Sequence, residues 1–148
     1  MPPVTRRFLA TAALSLVLGL SLGLWLLVRR ELFGIWPTPH LTSAHAHLVL
    51  VGTVMQVIAG VALWMFPLPR RGAAPVHEPP WAMIGWWCLA PGTLVRAAAE
   101  VARATSAAGV LPLLVVGGGA LQVLGMGAVV VALRHRIRPV GAGARAAL

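Results

Sequence analysis

Residues Ser43 to Pro67 read SAHAHLVLVGTVMQVIAGVALWMFP. The run is apolar enough and long enough to cross a bilayer as a helix. Inside hydrocarbon only helices and closed barrels satisfy every backbone group, and an unbroken apolar run of this length is the helical case. It opens with His45 and His47, and His40 stands just upstream. A histidine at membrane depth is costly, and by default it marks function. Neutral imidazole is also the commonest side-chain metal ligand. The stretch therefore reads as a helix able to hold a haem or a metal ion, housed by the rest of the chain.

The remainder repeats the pattern. The chain has 148 residues, 59% hydrophobic and 10% charged, with a mean hydropathy of +0.86. Water-soluble domains carry about 25% charged residues, so a solvated surface is missing. We expect an all-α fold, a four-helix transmembrane bundle with helices at about 8–28, 43–66, 81–103 and 108–133 and a basic disordered tail at 134–148. It forms a single membrane domain. The run from Phe8 is longer than a signal-peptide core and ends at Arg29-Arg30-Glu31, so it reads as a retained helix. Ser15, Gly19 and Gly23 give it a small face every fourth residue, suited to close helix approach. Pro37 and Pro39 argue against helix before Thr42, which with Ser43 is a candidate cap for the second span. Pro91-Gly92 predicts a kink or a freed carbonyl in the third.

The net charge of +9 comes from arginine alone, with no lysine, against Glu31, Glu78 and Glu100. Because the arginines flank apolar runs, they serve topology and lipid headgroups, not nucleic acid. With the N-terminus inside, Arg6, Arg7, Arg70, Arg71, Arg134, Arg136, Arg138 and Arg145 are inside, and Arg29, Arg30 and Arg103 are outside. The expected arrangement is N-in/C-in in a bacterial-type cytoplasmic membrane, with the paired histidines at the outer face. Cys88 lies alone in an apolar run and reads as an inert buried thiol. His77-Glu78-Pro79-Pro80 lacks the second histidine of a zinc-protease motif.

At about 100° per residue, His45 shares a face with Gly52, Gln56 and Gly60, while His47 points towards Val51, Val54 and Ile58. One ion is not readily held by both from a regular helix. The Gly52/Gly60 seam offers room for a flat macrocycle beside His45; equally, both histidines suit headgroup contact and the glycines helix packing. Arg96, Glu100 and Arg103 follow at i, i+4 and i+7 on the third helix. They read either as an ion-pair ladder or as a propionate grip with Glu100 orienting an arginine. Gln56 suits an interhelical hydrogen bond.

The pattern His45-Ala46-His47, Gly52, Gly60, Pro67 resembles the second transmembrane helix of the haem-copper oxidase subunit I superfamily. It is also similar to NnrS-type haem and copper membrane proteins linked to nitric oxide. Small four-helix relatives carry the same AHAHL string, and Gly92-Thr93-Leu94-Val95-Arg96 with Glu100 is similar to their third helix. The resemblance implies a b-type haem ligated by His45 on oxidase-like spacing, or by His47 on NnrS-like spacing. The oxidase core has about twelve helices, a second haem histidine and a three-histidine copper site; this chain offers four helices and no tyrosine. Oxygen reduction by this chain alone is therefore not expected. Electron transfer or binding of nitric oxide is, with a homodimer or a larger complex supplying what one copy lacks. Two other functions stay open: a cofactor-free structural or assembly subunit of a respiratory complex, and a copper or zinc site built from His40, His45 and His47.

Overall fold

The computed structural model describes residues 1–66, 80–134 and 136–137. Among these the chain is all helix, with no strand. Helix α1 spans Pro3–Phe33, α2 Pro39–Met65, α3 Trp81–Arg103 and α4 Val110–Arg134. Three of them (α1, α2 and α4) are long and apolar enough to cross a membrane by length and composition. In α3, tryptophan, glycine, Pro91 and Arg96 dilute the apolar character. The expectations for Pro67, Pro69, Arg70, Arg71, His77, Glu78, His135, Arg138 and the residues after it fall outside the described residues.

Helix α1 is longer than its apolar run. Arg6, Arg7, Arg29, Arg30 and Glu31 are good helix formers, and nothing stops the helix before Gly34. That residue takes the left-handed conformation (φ 64°), and the Gly34 and Ile35 amides bond back to the Arg30 and Arg29 carbonyls. This is a glycine stop. One face of α1 is buried through Val4, Phe8, Ala12, Ser15, Gly19 and Leu26, while Leu14, Val17, Leu20, Leu24 and Leu27 are exposed.

Helix α2 begins earlier than expected. Pro39 occupies its first turn, where a missing N–H costs nothing, and the Thr38 hydroxyl accepts from the Leu41 amide at 3.4 Å. Neither Thr42 nor Ser43 is the cap, which leaves Ser43 free to bond elsewhere. The middle of α2, Leu48–Met55, is wound as a π-helix. Such wide turns are rare in helices and concentrate at functional sites. There the Thr53 hydroxyl donates to the Leu48 carbonyl five residues back, at 3.0 Å.

Helix α3 touches the other three, and its tightest partner is α4. It runs through Pro91 unbroken, and the Thr93 hydroxyl donates to the Leu89 carbonyl at 2.8 Å. The main core gathers Val4 and Phe8 of α1, Ala59 and Leu63 of α2, Leu89 of α3 and Val129 of α4.

Arg136 lies within the stretch 134–148 expected to be a basic disordered tail. It is buried (5% exposed), and Nη1 donates to the Leu63 and Phe66 carbonyls at 2.9 and 3.2 Å. Those carbonyls lack partners further along their own helix, so the guanidinium closes the end of α2. Arg136→Ala is expected to cost about 1.5–3 kcal/mol, the worth of hydrogen bonds from a charged donor. An unchanged unfolding midpoint in detergent contradicts that role.

Candidate functional site

Two polar constellations lie between the helices. The first starts at the paired histidines. His45 faces α1, as do Gly52, Gln56 and Gly60, despite the wide turns between them. Its Nδ1 lies 2.9 Å from the Gly19 carbonyl. A carbonyl only accepts, so Nδ1 carries a proton, and in the neutral ring the lone pair is then on Nε2. The ring rests on Gly23: a Cβ there would fall 2.6 Å from His45 Cε1. The small face of α1 is thus the bed of an imidazole.

His47 uses the same tautomer by another route. Its Nδ1 donates to the Ser43 carbonyl one turn back at 2.9 Å. The Ser43 hydroxyl donates to Glu100 Oε1 at 2.7 Å, and Arg96 Nε donates to that oxygen at 3.2 Å. Arg96 Nη1 reaches Gln122 Oε1 at 3.4 Å, and Gln122 Nε2 donates to the Thr93 hydroxyl at 3.1 Å. One chain of contacts therefore links α2, α3 and α4. Glu100 is 3% exposed, and its second oxygen has no partner.

The second constellation centres on Thr11. Its hydroxyl donates to Gln56 Oε1 and accepts from the Trp86 indole N–H at 3.3 Å, while the Arg7 guanidinium stacks on Trp86. Gln56 is fully buried and makes the interhelical bond expected of it.

The structure brings together His47, Glu100 and Arg96, with His45 seated separately on α1. It does not join Arg103 or His40 to them. Those two line a cavity of about 470 Å³ at the end of the bundle carrying the α1–α2 and α3–α4 turns. Among the described residues no group of three or more His, Cys, Asp or Glu side chains is placed to hold a metal ion.

Gly52 and Gly60 are in use as packing positions. A Cβ on Gly52 would lie 2.7 Å from Ser15 Cβ and 3.0 Å from a Thr93 methyl, and one on Gly60 would lie 3.1 Å from Phe8 Cβ. The imidazoles thus fit a haem in their donor chemistry, but the Gly52/Gly60 seam holds no slot for the macrocycle.

Sequence reading missed Ser43 as the link to Glu100, Gly23 as the floor under His45, and Gln122 altogether. Gln122 carried a signal, being a polar residue within an apolar span, as Gln56 is. The other two depend on which helix stands opposite, and no local pattern states that. The chain matches no protein-family model, no curated protein and no solved structure.

Proposed function

We propose that the chain is a multi-pass membrane protein that binds b-type haem through an α2 imidazole and serves electron transfer or the binding of a diatomic gas such as nitric oxide. All four helices span the membrane in this reading, both termini lie on the arginine-rich inner side, and the histidines lie at the outer one.

One observation supports it above the rest: both rings are held through Nδ1 by a backbone carbonyl, so that Nε2 is the ligating nitrogen of the neutral ring. Ligating histidines commonly show this arrangement, which fixes the ring and raises its basicity. Bound haem would supply a one-electron couple at iron. Arg96 and Glu100 act as positioning residues, steadying Ser43 beneath His47 in place of gripping propionates. With the glycine seam closed, the macrocycle needs a surface of α2 that another copy or partner covers. A second protein ligand would come from His40, from the other histidine of the pair or from that partner; without one, the gas would bind there.

The closed seam favours a second reading, a cofactor-free structural subunit of a larger membrane complex. A visible spectrum of detergent-purified protein separates the two. A Soret band is expected, abolished by His45→Ala or by His47→Ala, whichever ring is the ligand. Folded protein that is colourless and takes up no added haem overturns the proposal. Stoichiometric copper or zinc in that colourless protein supports a metal site instead.

A further inference from the structure

The cavity at His40 has a cationic side chain in its lining and no acid. It is lined by His40, Arg103, Thr105, Ser106, Ala108 and Pro112. Of the described acids, Glu31 pairs with Arg30 at 2.6 Å and Glu100 with Arg96, so no carboxylate reaches Arg103. The Ser106 hydroxyl accepts from the Ala108 amide at 3.3 Å, which leaves its own proton to donate. A residue with a guanidinium, one with an imidazole and one with a free hydroxyl proton thus share the lining of a polar cavity that has no acid in its wall. That is the chemistry of a phosphate site.

The cavity does not stand alone. Thr105 also lines a neighbouring cavity of about 340 Å³, walled by Trp25, Arg29, Trp36 and Leu41, where Arg29 lies over the Trp25 ring at 4.8 Å. Val101 lines that cavity and also an apolar groove of about 550 Å³ between α1 and α3. Leu18, Leu22, Leu48, Leu94 and Ala98 form its walls. Small side chains along α3, at Ala97, Ala98 and Ala102, keep the groove open. Anionic at one end and apolar along its length, the occupant that fits is an amphiphile.

We propose that this end of the chain binds one anionic phospholipid, with its phosphate between Arg103 and His40 and an acyl chain in the groove between α1 and α3. The charge selects the headgroup and the groove selects the lipid over soluble phosphate. This goes beyond the haem reading and does not depend on it.

Native mass spectrometry of delipidated protein tests it, using phosphatidylglycerol and phosphatidylcholine with identical acyl chains. One phosphatidylglycerol per chain should be retained, preferred by about fivefold, since each arginine near a membrane surface is worth roughly 1 kcal/mol towards anionic lipid. Arg103→Gln and His40→Gln should each reduce that preference, while Arg103→Lys keeps most of it. Ala98→Trp should weaken retention of the lipid by filling the groove. Arg6→Gln, at the opposite end, should leave the preference intact.

Equal retention of the two lipids overturns the proposal. So does a preference that survives Arg103→Gln, or one that Arg6→Gln removes equally. Displacement by glycerol 3-phosphate at equal concentration overturns the lipid in favour of a soluble phosphate ligand. Circular dichroism of each variant confirms helicity, and a Soret reading on the same samples keeps this outcome distinct from that of the haem proposal.

Discussion

Gly118→Leu is expected to cost about 3 kcal/mol or more, the upper end of what forcing atoms into a packed interface costs, while Gly117→Leu next to it costs nothing. A Cβ on Gly118 would lie 2.8 Å from the Gly92 carbonyl oxygen, 2.8 Å from Arg96 Cβ and 3.0 Å from the Arg96 amide nitrogen. Two of those atoms are backbone, so no rotamer change makes room and α3 must move. The approach is mutual: a Cβ on Gly92 would lie 3.0 Å from the Gly118 carbonyl, and one on Gly125 2.8 Å from the Leu89 amide. By contrast, nothing lies within 4 Å of a Cβ on Gly117. Leucine there also removes a helix-interior glycine, a gain of about 1 kcal/mol. Unfolding midpoints in one detergent should separate the pair widely. Equal midpoints would mean that α3 and α4 are not packed backbone to backbone.

These glycines show where sequence reading stops. The Gly117-Gly118-Gly119 run is plain in the chain, yet its three members have different surroundings. A Cβ on Gly118 would meet backbone, one on Gly119 would lie 3.0 Å from Arg96 Nη1, and Gly117 is open. Which member is buried depends on how α4 is rotated against α3, and an apolar helix facing apolar surroundings on every side carries no amphipathic stripe to fix that rotation. The helices themselves were legible, because length and hydropathy are local properties. The start of α2 was misplaced, since Pro39 reads as a breaker unless it falls in the first turn. At the site, the His45 face followed from periodicity and the Gln56 bond from a polar residue set in an apolar run. The Arg96–Glu100 pair followed from its i, i+4 spacing, whereas the bond from Ser43 to Glu100 did not, because Ser43 lies on another helix.

Removing Glu100 is expected to be the most damaging single change to the polar network. Glu100→Ala takes the shared acceptor from Ser43 and Arg96 together. Breaking one side of a buried pair costs about 3–5 kcal/mol, since it leaves the other charge uncompensated. The Arg96 side chain is 22% exposed and keeps its contact to Gln122, so the lower end, about 3 kcal/mol, applies. The double variant Glu100→Ala/Arg96→Met should be more stable than Glu100→Ala alone, because the second change removes the stranded charge. A double-mutant cycle on unfolding free energies gives the coupling directly. Additive losses at the two positions would show that the pair does not act as a unit. In the same experiment, a haem spectrum altered by Glu100→Ala but restored by Glu100→Gln points to Ser43 and His47 as the route of the effect.

The wide winding of Leu48–Met55 has a consequence for how α2 tolerates change. Each hydrogen-bonded loop there holds one residue more than an α-helical loop does. A single deletion within it can therefore be absorbed by tightening to ordinary pitch, with little loss of hydrogen bonding. Eight residues at the wide winding and seven at the ordinary one complete nearly the same number of turns, so the half carrying the histidines and the half carrying Gln56 and Gly60 would both keep their faces on α1. The segment works as a length buffer between anchor and imidazoles: it takes up one residue of chain while the aim of the rings stays nearly where it was.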